Sequence, residues 1–272
     1  MESFLSSSKQ NKIIQKINKL YFQLKVLYEN RYCNQDDFSI LVCGGMNNNY
    51  RYQKSVFKLN GSEFEYKHYA LMPYARKICK TAVINSELFV LGGYTKNYTY
   101  DKSFRKFCIK NKTWSLKTQQ YLNDNRFCLC SFKKNLYIVN ETSFFLYNLK
   151  NDQWTQKAKM NQTRNYAACT VFEGKIVVTG GVSLKSVEAY DYYENKWNYL
   201  SDMIKKRYHH SSVSMGNKMF VVGGGENTDE LAGEVFDSFS RKFTYISYAT
   251  IKGINQYKSE ALCVCNKIIV FF

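Results

Sequence analysis

The sequence predicts an all-β protein assembled from five similar sheets standing radially about one axis, and three recurring marks predict it. Apolar runs end in paired glycines, two aromatic residues seven positions apart follow each run, and an arginine-bearing turn precedes the next run. Self-similarity at a period of 40 to 48 residues fits one four-stranded sheet per repeat.

The glycine mark closes the runs Ile40 to Gly45, Leu88 to Gly93, Ile176 to Gly181 and Met219 to Gly224, so the pairs are Gly44/Gly45, Gly92/Gly93, Gly180/Gly181 and Gly223/Gly224. In a fifth copy, Leu136 to Val139, Asn140-Glu141 replaces the glycines. A strand that bends or closely approaches another segment has no room for a side chain, which is the physical reason for glycine there. The substitution at Asn140-Glu141 therefore puts that bend in question for the third repeat.

The aromatic pairs are Phe57/Phe64, Phe107/Trp114, Tyr147/Trp154, Tyr190/Trp197 and Phe236/Phe243. Turn-forming residues such as Asn60-Gly61-Ser62 and Asn151-Asp152 lie between the members, so each pair brackets a hairpin and supplies large rings to the packing between neighbouring sheets. Arg76, Arg164 and Arg207 each stand sixteen residues before the next repeat's first glycine. Arg126 is two residues out of register, and in the fifth repeat Gln256 is nearest the expected place.

Three marks in one order resemble the kelch repeat, and the resemblance covers about residues 38–272. Met160 and Met203 sit where that family often has a methionine after the tryptophan strand. The resemblance implies a kelch β-propeller of five recognisable blades plus the first strand of a sixth. Its blades are expected at about 38–87, 88–135, 136–175, 176–217 and 218–267, with a partial sixth at 268–272. Residues 1–37 read as an N-terminal segment holding a short amphipathic helix from Ser8 to Tyr28, because Ile13, Ile17, Leu20, Leu24 and Leu27 recur at three- and four-residue spacing between lysines 12, 16, 19 and 25. In kelch-like ubiquitin-ligase adaptors (BTB, BACK and kelch domains in that order), a helical segment precedes the propeller. Here the helix is compatible with a BACK remnant or a cap on the ring, and the resemblance implies a truncated member without the BTB domain.

Composition narrows the function. The formal charge of +17, from 39 Lys+Arg against 22 Asp+Glu, favours acidic partners. The basic residues are scattered with no long run and no nucleic-acid module, so a solvated basic surface is expected rather than nucleic-acid binding. No stretch reaches the ~18 consecutive apolar residues of a membrane span. No secretory leader is read at Met1 to Lys9, and Cys43, Cys128, Cys130, Cys169, Cys263 and Cys265 lie within strand-like runs as small buried hydrophobes, so a cytoplasmic, reducing setting is expected.

No convergent nucleophile, base or metal set emerges, and neither catalysis nor a cofactor is expected. His209 and His210 lie in the repeat's own turn, where the family commonly places a histidine. A kelch-type copper oxidase is the rival from another class. Binding is better supported: the loops after the glycines carry Tyr50, Arg51, Tyr52, Tyr94 and Tyr98, and with Arg76, Arg164 and Arg207 these are the candidate partner contacts. For the arginines a ring of inter-blade hydrogen bonds is the competing explanation. The paired glycines, Trp114, Trp154, Tyr190 and Trp197 are read as structural. The resemblance implies a protein partner or ubiquitination substrate without direct cullin binding, or actin in the manner of other kelch proteins.

Overall fold

The computed structural model describes residues 20–27, 39–47, 51–60, 66–96, 99–119, 122, 126–225, 233–246, 260–264 and 267–271. Blade I comprises β1 (Leu20–Leu27), β2 (Ser39–Asn47), β3 (Ser55–Asn60) and β4 (Tyr66–Leu71). Blade II follows with β5 (Lys80–Ile84), β6 (Glu87–Leu91), β7 (Phe104–Cys108) and β8 (Thr113–Lys117). Blade III holds β9 (Cys128–Phe132), β10 (Asn135–Asn140), β11 (Ser143–Asn148) and β12 (Gln153–Gln156). Blade IV holds β13 (Ala168–Phe172), β14 (Lys175–Thr179), β15 (Val187–Asp191) and β16 (Lys196–Tyr199), and blade V holds β17 (Ser211–Met215), β18 (Lys218–Val222), β19 (Gly233–Asp237) and β20 (Lys242–Ile246). Each is a four-stranded antiparallel meander, and β21 (Glu260–Val264) with β22 (Lys267–Phe271) forms a two-stranded sheet VI.

The first strands of the sheets stand innermost: β1, β5, β9, β13, β17 and β21 touch in succession, and β21 returns to β1. The ring therefore has six positions, five filled by full blades. Second strands have both faces covered by neighbouring sheets, and so read as unbroken apolar runs; Leu88, Phe89, Val90 and Leu91 are all buried. The outermost strands are mostly exposed, and in β12 only Trp154 is partly covered.

Two expectations are corrected. Residues 20–27, inside the predicted helix, form strand β1, paired with β2 from Leu20↔Asn47 to Leu27↔Ser39. Leu20, Phe22, Leu24 and Val26 alternate with period two as well as fitting a helical stripe, and the edge of β2 needs a ladder partner, so the strand wins. The rest of that segment, with its proposed BACK origin, lies outside the described residues. The blade boundaries also shift by one strand: the strand before each glycine run belongs to the same blade as that run, joined in blades II to V by a two-residue turn such as Asn85-Ser86 or Lys133-Lys134. Consequently sheet VI has a β21–β22 hairpin where a single strand was expected.

The glycines do close-approach work. Gly44 and Gly180 adopt φ of +68° and +60°, a Cβ on Gly44 would stand 2.5 Å from the Arg76 carbonyl oxygen, and one on Gly180 would overlap that of Arg207. In blade III the bend survives without glycine as a tight hairpin, Asn140 pairing with Ser143 and Glu141 at φ +54°.

Candidate functional site

Alternating strand direction puts the Arg turns and the loops after the glycines at one end of the ring, here called the crown, and the two tight hairpins of each blade at the other. Arg76, Arg164 and Arg207 are each 1 % exposed. Their guanidiniums donate to the carbonyls of Gly92 at 3.0 Å, Gly180 at 2.7 Å and Gly223 at 2.9 Å, sixteen residues on in every case. Each also meets a carboxylate: Asp101 at 2.7 Å, Glu188 at 2.9 Å and Glu234 at 2.9 Å. Meanwhile the arginine's own carbonyl accepts the N–H of the second glycine of the preceding blade, Gly45 at 2.8 Å for Arg76 and Gly181 at 2.9 Å for Arg207. Each turn thus clamps two adjacent blades. These side chains were candidate partner contacts, but they face inward and present no surface.

Glu188 and Glu234 are fully buried and accept further bonds from the turns, Glu188 from the Asn161 and Gln162 N–H groups and Glu234 from Ile204 and Lys205. A buried carboxylate requires this degree of satisfaction. A sequence signal marks them: both stand two residues before the strand aromatic, in Glu188-Ala189-Tyr190-Asp191 and Glu234-Val235-Phe236-Asp237. Arg126 instead makes an exposed pair with Glu141 at 3.5 Å.

The aromatic pairs are direct cross-strand neighbours, with ring centroids 4.8 Å apart for Phe107/Trp114, 4.9 Å for Tyr147/Trp154, 5.3 Å for Tyr190/Trp197 and 5.0 Å for Phe236/Phe243. Each indole N–H donates to the preceding blade: Trp114 to Leu71 O at 2.8 Å, Trp154 to Thr118 O at 2.8 Å and Trp197 to Ala158 O at 2.9 Å. Phe64 lies outside the described residues.

At the surface of the crown, blades I and II bring Tyr52, Lys77 and Tyr94 together. The Lys77 ammonium stands 4.9 Å above the Tyr52 ring, Lys77 and Tyr94 exchange backbone hydrogen bonds at 3.0 and 2.9 Å, and Tyr94 packs on Tyr100 at 5.5 Å. Arg51 is exposed alongside. Lys77 and Tyr100 were not singled out in the sequence, since neither belongs to the repeat pattern. Further round, His209 stacks on Tyr166 at 4.1 Å. Tyr50 and Tyr98 lie outside the described residues.

Among the described residues no group of three or more His, Cys, Asp or Glu side chains is arranged to hold a metal ion, and Cys43, Cys79, Cys108, Cys128, Cys130 and Cys169 form no disulfide. His210 is buried with Nε2 2.8 Å from Thr179 Oγ1. Desolvation, and secondarily the Arg207 charge, push its pKa down to about 3. The unfolded imidazole takes up a proton below about pH 6.5 while the folded one stays neutral, so acidification favours unfolding. Chemical denaturation should show a loss of about 2 kcal/mol of stability between about pH 6.5 and pH 5 that the His210→Gln variant lacks. An equal slope in both proteins would refute this assignment. The Asp152 carboxyl, held down by the Tyr147, Thr118 and Lys117 donors against desolvation, acts only below the usual carboxylate range and does not overlap that window.

Radial sheets wedged by aromatic pairs and clamped by arginine turns define a β-propeller. A model of the Kelch motif matches residues 163–204, which run from the Arg164 turn through blade IV into the turn after its outer strand. Kelch-like protein 41a of Danio rerio is 32 % identical over 135 residues, 46 % of this chain and 22 % of that protein. Kelch-like protein 25 of Xenopus tropicalis is 24 % identical over 204 residues, 68 % of this chain and 35 % of that protein. Beta-scruin of Limulus polyphemus is 32 % identical over 104 residues, 34 % of this chain and 11 % of that protein. The matches thus span about a third or less of each relative's own length. The chain is a β-propeller that carries a Kelch motif in its fourth blade and is similar in sequence to kelch-like proteins.

Proposed function

We propose that this propeller recognises a protein partner at its crown, as the substrate-recognition part of a cullin-RING ubiquitin-ligase adaptor does. The observation that carries the reading is the Tyr52–Lys77–Tyr94–Tyr100 cluster, where half-buried rings and a cation from two blades meet at the crown. Tyrosines of this kind supply contact area at small entropic cost, and an adjoining basic group favours an acidic partner. The fold's other demands are met elsewhere, by the buried arginines and the outer-strand tryptophans.

Affinity capture from cell extract, comparing wild type with a Tyr52→Ala/Tyr94→Ala variant of matched folding, tests this. The variant should lose at least about tenfold of the specifically captured protein, a loss of about 1.4 kcal/mol. Equal capture by both would overturn the crown reading. Direct recovery of a cullin by this chain would argue against recognition as its part in such a ligase.

The kelch resemblance and the +17 charge favour actin as a second reading. Co-sedimentation with filaments at physiological salt, where nonspecific attraction is screened, decides it.

A further inference from the structure

The hairpin end of the ring, opposite the crown, carries an aromatic surface that folding does not require. Tyr193 in the β15–β16 hairpin and Phe239 in the β19–β20 hairpin occupy the same position in neighbouring blades. Each donates its backbone N–H to the Oδ1 of the aspartate two residues before it, Asp191 or Asp237, at 3.0 Å. The rings are 85 % and 84 % exposed. Lys150 holds the equivalent position in blade III and Lys110 in blade II, so the turn itself needs no aromatic. Large exposed rings at corresponding places carry meaning that scattered surface apolar residues do not.

The surface is also cationic and partly preorganised. Lys133, from the β9–β10 turn of blade III, donates to the Tyr193 hydroxyl at 2.9 Å and stands 4.1 and 4.4 Å from the ring centroids of Tyr193 and Tyr192. Three of the carboxylates here are engaged, Asp191 by Lys175 at 2.9 Å, Glu173 by Arg241 at 2.6 Å, and Asp237 by the Phe239 and Ser240 N–H groups, while Glu194 next to Tyr193 is exposed. Lys134, Lys150 and Lys196 are exposed and meet no carboxylate among the described residues.

We propose that the hairpin end of blades III to V is a second docking surface, for an acidic peptide segment whose apolar side chains meet Tyr193 and Phe239 while its carboxylates meet Lys133 and its lysine neighbours. Charge complementarity selects the occupant, since this end repeats in miniature the +17 excess of the chain. Lys175, and after it the turn N–H donors, hold the Asp191 carboxyl below its ordinary range, and turn N–H donors led by Ser240 do the same for Asp237. The exposed Glu194 carboxylate beside Tyr193 disfavours a continuous phosphate backbone, whereas a peptide can space its carboxylates to avoid it. The surface is separate from the crown, and the proposal does not depend on the crown reading.

Fluorescence polarisation with a fluorescein-labelled Glu-Glu-Leu-Glu-Glu-Phe-Glu-Glu peptide at physiological salt tests it on the whole chain. Wild type should bind saturably, a Tyr193→Ala/Phe239→Ala variant at least about tenfold more weakly, and Lys133→Glu also more weakly. Both tips are solvent-exposed, so these variants should fold as wild type does, and matched thermal transitions verify it. The Tyr52→Ala/Tyr94→Ala crown variant should bind the peptide like wild type, and oligothymidylate should not displace it. Absence of binding, undiminished binding by the tip variants, loss through the crown variant alone, or displacement by the oligonucleotide would each overturn the proposal.

Discussion

Replacing Arg164 with alanine should lower the unfolding free energy by about 3–5 kcal/mol, the cost of leaving a buried charge without its partner. Glu188 is fully buried, and its Oε1 accepts Arg164 Nε at 3.1 Å and Nη2 at 2.9 Å. The same guanidinium satisfies the carbonyls of Gly180 at 2.7 Å and Ser186 at 2.8 Å, so truncation orphans several acceptors at once. Arg164→Lys keeps the charge yet lacks the planar fork, and its cost should fall between zero and that of alanine. A double-mutant cycle with Glu188→Ala, followed by urea denaturation, should give a coupling of at least about 1 kcal/mol. Strictly additive losses would show that the two side chains do not act as one clamp.

Trp197→Ala should cost about as much, roughly 3–5 kcal/mol, because it empties the wedge between blades III and IV. The indole is 3 % exposed, packs on Phe144 at 5.0 Å and Tyr190 at 5.3 Å, and holds blade III through Ala158 O. Trp197→Phe retains most of the ring area and should lose only about 1–2 kcal/mol, chiefly through the unpaired carbonyl. The ratio of the two losses in equilibrium denaturation is the check. Comparable losses would mean that the hydrogen bond, and not the packing, secures that interface.

Much of this architecture was readable from the residues, because the features that set it are local and periodic. Paired glycines mark the place where an Arg turn lies against the strand end, the seven-residue aromatic spacing is a cross-strand pair across a four-residue hairpin, and the sixteen-residue interval from Arg to glycine is an actual hydrogen bond. The phase of the repeat was not readable in the same way, since a cycle has no first strand. β1 was misread because Leu20, Leu24 and Leu27 satisfy a helical stripe while Leu20, Phe22, Leu24 and Val26 satisfy a strand, and only the open edge of β2 separates the two. The site was less legible than the fold. Arginine in a turn looks equally suited to contacting a partner and to clamping a blade, and burial alone distinguishes them. The Lys77 and Tyr100 contacts, and the matching exposure of Tyr193 and Phe239, arise from how blades face one another and leave no mark in spacing.

Sheet VI gives the ring a seam. Phe107, Tyr147, Tyr190 and Phe236 are each 1 % exposed or less, whereas Phe57, their counterpart in blade I facing the two-stranded sheet, stays partly uncovered. Phe220 on blade V is likewise less covered than Phe89, Tyr137 and Val177 at the same place in earlier blades. Cohesion is therefore uneven around the circle, and hydrogen exchange should be fastest in blades I and V on the sides that hold Phe57 and Phe220.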